Sequence, residues 1–191
     1  MLHLPALLPA ATAARWHAAL EMQPGASLPL AQALDLDAVL QVLRPLRPHL
    51  PPRPRVITSQ CWVRRATPPH SWHQDGALHH DFRSDAPPLP MWTAWLPLVD
   101  CNVDAPGLEW VDSRFDTLLP PAALARVHEH FPNTEHPPLQ AGDALLFDGG
   151  LLHRSHVTAA MTLPRTSIEL RFIADGELPA RLAGETLRAW P

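Results

Sequence analysis

Ser167-Ile168-Glu169-Leu170-Arg171-Phe172-Ile173-Ala174 is the stretch that decides the fold class. Ile168, Leu170 and Phe172 fall on one side, and Ser167, Glu169 and Arg171 on the other. Successive strand side chains point to opposite faces, so this is a strand with one apolar and one polar face. Similar signals lie upstream. Val56-Ile57-Thr58-Ser59-Gln60-Cys61-Trp62-Val63 is β-branched and aromatic, as are residues 91–99 and 107–111. Residues 144–147 and 151–157 complete the strand set.

The first fifty residues have a different character. Residues 9–22 carry Trp16 and Leu20 on one helical face, and Leu36, Val39, Leu40 and Leu43 repeat at helical spacing within 29–46. Ser27 is placed to cap that second helix, with Pro29 in its first turn. Arg44-Pro45 and the run from Pro48 to Pro54 end it. A short helix is expected over 121–131 and another over 178–190. Two helices followed by many short strands predict a mainly β protein, an antiparallel sandwich or barrel backed by helices. At 191 residues this is one domain, with 1–50 as helical support and 55–175 as the β core.

Composition narrows the function. A formal net charge of −4 gives no broad basic surface for nucleic acid or anionic membrane. No apolar run approaches the roughly 20 residues of a membrane span. The start, Met1 to Pro9, lacks a basic segment and is broken by proline, so it reads poorly as a signal peptide. Cys61 and Cys101 alone make no disulfide framework. A soluble, cytoplasmic protein is expected.

Histidine is abundant, at twelve residues. His-x-Asp occurs at His73-Gln74-Asp75 and again at His79-His80-Asp81, and pattern alone does not choose between them. His73 is followed by Gly76, which permits a tight turn. His153 ends the apolar Leu151-Leu152, after a Phe147-Asp148-Gly149-Gly150 turn, and Arg165 follows it in the same segment. Two imidazoles and one carboxylate suit non-haem Fe(II) with positions left open. An arginine nearby can grip a carboxylate through two parallel hydrogen bonds. The cluster His128, His130 and His136 reads as a solvated face, and Asp143 as the support of a turn.

The pieces Trp72-His73-Gln74-Asp75, Trp92-Thr93-Ala94-Trp95-Leu96-Pro97-Leu98, Gly142-Asp143 to Phe147, Leu152-His153-Arg154-Ser155 and Arg165 resemble the phytanoyl-CoA dioxygenase-like family of Fe(II)/2-oxoglutarate-dependent oxygenases. The resemblance covers about residues 55 to 175. It implies a double-stranded β-helix (a jelly-roll, cupin-like barrel) with His73, Asp75 and His153 as iron ligands. It further implies that Arg165 pairs with the distal carboxylate of 2-oxoglutarate, with Trp92, Gln60 and Thr93 lining that pocket. Trp62, His156 and Arg171 are candidates to face a small-molecule substrate, Arg171 being either a clamp or an outward surface residue. The chain departs from the family at Asp104-Ala105-Pro106-Gly107, at Val111-Asp112-Ser113-Arg114 and after His153, in the segments that would cover a substrate.

The implied reaction is hydroxylation by O₂, coupled to conversion of 2-oxoglutarate to succinate and CO₂. Related halogenases have a small residue where Asp75 stands, so the carboxylate favours oxidation over halogenation. Two rival readings remain. A cupin-like metal barrel that does not use 2-oxoglutarate would keep the histidines and Asp75 but have no use for Arg165. A non-catalytic relative would have no need of the full set.

Overall fold

The computed structural model describes residues 1–65, 69–82, 86–176 and 178–190. The alternating stretch is the hub strand, Thr166–Ala174. In chain order the strands are β1 (Leu2–Leu4), β2 (Ser27–Pro29), β3 (Pro54–Ile57), β4 (Trp62–Arg65), β5 (His73–Gln74), β6 (Met91–Pro97), β7 (Gly107–Trp110), β8 (Ala144–Asp148), β9 (Leu152–His156), β10 (Thr166–Ala174) and β11 (Leu187–Ala189). One side of β10 pairs with β6, and the other with β4 and then β3. Among the described residues an eight-stranded sheet runs β1-β8-β6-β10-β3-β11, with β4 and β2 branching from β10. A three-stranded sheet has the order β5-β9-β7, and all these pairings are antiparallel.

The strand alternation sorts two cores. Ile168, Leu170, Phe172, Ala94, Leu96 and Leu146 point to the helical side and pack with Trp16, Leu20, Leu40 and Leu43. Trp95, Leu145 and Phe147 point the other way and pack with Leu108 and Trp110 of β7. Phe172 is fully buried, and burial of such a side chain stabilises by roughly 1.5–3 kcal/mol. The polar face of β10 thus lies between the sheets.

Several elements differ from expectation. The first helix is α1 (Ala10–Glu21), but the second divides into α2 (Leu30–Ala33), α3 (Leu36–Val42) and a 3-10 turn at Arg44–His49. Leu34 is extended, and the Asp35 carboxylate accepts from Asp37 N and Ala38 N, capping a new helix. Ser27 is therefore not the cap; it lies in β2 and accepts a hydrogen bond from Arg64. The strand expected over 56–63 is cut by a 3-10 turn at Thr58–Gln60. The helix expected over 121–131 is two single turns, α4 (Pro121–Leu124) and α5 (Val127–His130). The final helix is instead a 3-10 turn at Ala180–Leu182 followed by β11, which adds to β3. No helix among the described residues is long and apolar enough to cross a membrane. Cys61 and Cys101 are free and buried, and burial pushes each thiol up to about 12.

Candidate metal centre

β5 and β9 place His73 and His153 directly opposite one another across the small sheet. Their ring centroids are 4.2 Å apart. His73 Nδ1 lies 2.7 Å from Ser71 O, and His153 Nδ1 lies 3.1 Å from Leu151 O. A carbonyl only accepts, so each Nδ1 carries a proton, and Nε2 is the nitrogen that a neutral ring leaves free for a metal. Asp75 follows β5 in a 3-10 turn. The three side chains bring one ligand atom each within 4.8 Å of one another, the described group that can hold a metal ion.

The turn holding Asp75 depends on close backbone contact. Gly76 N donates to Gly149 O at 2.8 Å, and Gly76 O accepts from Leu89 N at 3.0 Å. A Cβ on Gly76 would lie 2.6 Å from Pro88 Cβ and 2.7 Å from Gly149 O. The glycine is thus required for space, whereas the positive-φ glycines are Gly25, Gly142 and Gly176.

The large sheet supplies the rest. Thr93 on β6 and Arg171 on β10 are register partners, and both reach Asp75. Thr93 Oγ1 donates to Oδ2 at 2.6 Å, and Arg171 Nη2 donates to Oδ1 at 2.9 Å. Burial alone would raise the Asp75 carboxyl, but Arg171, with His153, His73 and Thr93, holds it well below the usual carboxylate range. Burial, and then neighbouring His73, lowers His153 to about 4, so its imidazole is neutral at pH 7. Arg171 stays firmly charged: burial opposes its charge, but Asp75 and Glu169 outweigh that.

These groups border a cavity of about 180 Å³. His73, Asp75 and His153 stand on one part of its wall, with Phe147, Leu108 and Trp95 as apolar lining. Arg165 is buried on the same wall, with Nη1 3.4 Å from Ser155 Oγ and 3.5 Å from Gly107 O. Ser155 is two residues beyond His153 on β9, which is roughly 7 Å along a strand. Burial lowers the pKa of Arg165 without threatening its charge.

Not every expected residue reaches this cavity. Thr93 and Arg171 line it, and Arg171 is bonded to Asp75 rather than facing outward. Trp92 does not line it: strand alternation turns it to the helical side, where it packs on that core, and Trp95 takes the inward position. The Gln60 side chain donates to Glu185 at 2.9 Å, leaving only its backbone O in contact with Arg171. Trp62 lies beneath Arg64, 5.0 Å from guanidinium carbon to ring centroid. His156 stacks on His136 at 4.1 Å, outside the cavity lining. His79 is held by Glu185 at 2.5 Å, and Phe82 N donates to His80 at 2.8 Å. Asp143 fixes the N-terminal segment by accepting from Ala6 N and pairing with His3.

The sequence reading missed Arg64, Glu169, Ser155, Trp95 and His70, all of which line the cavity. Strand parity carries the signal for three of them: Glu169 shares a face with Arg171, Trp95 with Thr93, and Ser155 with His153.

No family model matches the sequence, and no curated protein matches it significantly. Solved structures do. HygX from Streptomyces hygroscopicus, crystallised with iron bound, superposes with a TM-score of 0.65 at 18% identity, covering 90% of this chain and 80% of its own. The non-haem α-ketoglutarate-dependent carbocyclase SnoK from nogalamycin biosynthesis gives 0.63 at 16% identity, over 90% and 78%. The epimerase SnoN, in complex with Fe³⁺, α-ketoglutarate and nogalamycin RO, gives 0.60 at 16%, over 90% and 78%. The chain shares their fold.

Proposed function

We propose that this chain is a single-domain Fe(II)/2-oxoglutarate-dependent oxygenase, a double-stranded β-helix enzyme of the kind its phytanoyl-CoA dioxygenase-like motifs suggest. The observation that carries the reading is the union, in one cavity, of His73, Asp75 and His153 with a buried Arg165. A guanidinium at this place can take a carboxylate through two parallel hydrogen bonds, a use that a metal barrel without a dicarboxylate co-substrate does not have. HygX has also been crystallised with nickel and 2-oxoglutarate.

The donor set fits the metal. Two imidazoles can present Nε2, and Asp75 is held anionic, the combination that suits non-haem Fe(II). When bound, iron and 2-oxoglutarate would supply oxidation of a substrate by O₂, with release of succinate and CO₂. The protein's own part is positioning. Ser71 O and Leu151 O set the ring orientations. Arg165 anchors the distal carboxylate of the co-substrate, about two strand residues from His153. Leu108, Phe147 and Trp95 keep water from the space between. We take hydroxylation of a small molecule as the outcome, because Asp75 fills the position a halide would need. The neighbours' descriptions, carbocyclase and epimerase, make ring closure and stereoinversion the alternatives to oxygen insertion.

The test is anaerobic loading with Fe(II), then addition of 2-oxoglutarate, ascorbate and O₂, with succinate measured. Succinate formation that disappears without Fe(II) supports the reading. Metal binding with no affinity for 2-oxoglutarate would defeat it in favour of a different metal-barrel enzyme. Product mass under ¹⁸O₂ separates hydroxylation from the alternatives.

A further inference from the structure

The Arg171 guanidinium is held through two of its three nitrogens. Nη1 donates to Gln60 O at 3.3 Å, and Nη2 donates to Asp75 Oδ1 at 2.9 Å. Nε is buried and has no hydrogen-bond partner among the described residues. Thr93, opposite Arg171 in the sheet, covers the other oxygen of Asp75. The side chains of Arg171 and Asp75 are 13% and 4% exposed, so the pair is largely removed from water. Asp75 comes from a turn beside the small sheet, whereas Thr93 and Arg171 belong to the large one. The carboxylate is therefore seated in a cradle built by two paired strands of the large sheet.

We infer that Thr93 and Arg171 form an anion cradle that positions the carboxylate ligand of the metal, and that the cradle itself, more than the Asp75 backbone, defines where an anion sits at this centre. This rests on the reading of His73, Asp75 and His153 as the metal site. A hydroxyl and a guanidinium each give a charge-assisted hydrogen bond to a carboxylate, and such bonds fix geometry as well as supplying energy. With both oxygens engaged, the orientation of the carboxylate that Asp75 would offer to a metal is fixed by Thr93 and Arg171. Arg171 is a positioning residue: it acts on the metal through Asp75. A cradle of this kind should accept a small free carboxylate once the Asp75 side chain is removed. The unpartnered Nε offers one more donor to it.

The experiment is chemical rescue of metal binding in the full-length protein, read by Co(II) titration and the Co(II) visible spectrum, with formate as the probe. Wild type should bind one Co(II). Asp75→Ala should bind it at least about a hundredfold more weakly. Formate should then recover about tenfold or more of that affinity, the scale on which partners behind a metal ligand act, and return the spectrum toward wild type. In Asp75→Ala/Arg171→Met formate should recover nothing, and Arg171→Lys in the same background should recover part. If Arg171→Met does not fold by circular dichroism, Asp75→Ala/Thr93→Val takes its place, with reduced rescue expected. Equal formate rescue with and without the cradle residues, or no rescue in Asp75→Ala, overturns the inference while leaving the metal site standing. Absence of Co(II) binding by wild type overturns both.

Discussion

His73 and His153 are cross-strand partners, and each ring is bonded through Nδ1 to the carbonyl two residues before it. The same local device, repeated on β5 and β9, fixes both tautomers and turns both Nε2 atoms toward Asp75. The three side chains that could hold a metal ion are thus already brought together. Replacing either histidine by Ala should cost more than the 10- to 100-fold in dication affinity typical of outer partners, while leaving the far-ultraviolet dichroism unchanged. Co(II) titration of His73→Ala and His153→Ala checks this. If binding survives in both but is lost in His79→Ala, the chosen triplet is wrong.

The β architecture was legible wherever one face of a strand met a core. Ser167 to Ala174 shows this best, because its inner face is polar and its outer face apolar. β1, β2 and β11 were not legible: each is three residues long and owes its existence to a longer partner rather than to its own pattern. The division of the second helix turned on Asp35, whose carboxylate competes for backbone N–H groups that a continuous helix would have used. In the site, His73, Asp75, His153 and Arg165 were found through motif and resemblance, and the structure gathers them around one cavity. Trp92 was misplaced because the motif was weighed without the parity of β6, which turns Thr93 and Trp95 inward. The Arg171–Asp75 pair joins residues 96 positions apart, a contact that only the closing of the sheets creates.

Gly76→Ala tests how tightly the turn is packed. The new methyl would meet Pro88 and the Gly149 carbonyl at under 3 Å, and backbone must move to admit it. A loss of about 1–3 kcal/mol is expected, as for other overpacked sites, together with weaker Co(II) binding because Asp75 is the preceding residue. Gly184 has nothing within 4 Å of such a Cβ, so Gly184→Ala should stay within about 0.5 kcal/mol of wild type. Urea unfolding of both variants gives the comparison; equal stability of the two would show that the turn yields.

Glu109 on β7 ties the small sheet to its surroundings and should make stability pH-dependent. It accepts from Arg154 Nε at 2.6 Å and from Thr134 Oγ1 at 2.5 Å. Burial alone would raise its carboxyl, but the bonds from Arg154 and Thr134 lower it below its ordinary value. A carboxyl lowered in the folded state binds protons more readily when unfolded. Its contribution is therefore fully present above the unfolded value of about 4.3 and is lost as pH falls through the folded one. Glu109→Gln should cost about 1–3 kcal/mol at pH 7, and the gap to wild type should narrow below about pH 4. Urea midpoints at pH 7 and pH 3.5 measure it, and a constant gap would show that charge is not what Glu109 contributes.

Arg165 carries the distinction between a 2-oxoglutarate enzyme and any other metal barrel. Its guanidinium is buried beside Ser155, along β9 from His153, so a dicarboxylate with one end at the proposed metal centre would bring its other end to this cation. Loss of one member of a buried charge pair costs about 2–5 kcal/mol, so Arg165→Ala should raise the dissociation constant for 2-oxoglutarate by at least about thirtyfold. Arg165→Lys should recover only part of this, because an ammonium cannot present two parallel donors to one carboxylate. Co(II) affinity measured without co-substrate should be nearly unchanged in both variants, which separates damage to the anion anchor from damage to the centre. Calorimetric titration of 2-oxoglutarate into the Co(II)-loaded protein reads the effect directly. Wild-type affinity in Arg165→Ala would remove the anchor from Arg165, and equal weakening of metal and co-substrate would mean that Arg165 supports the barrel and not the ligand.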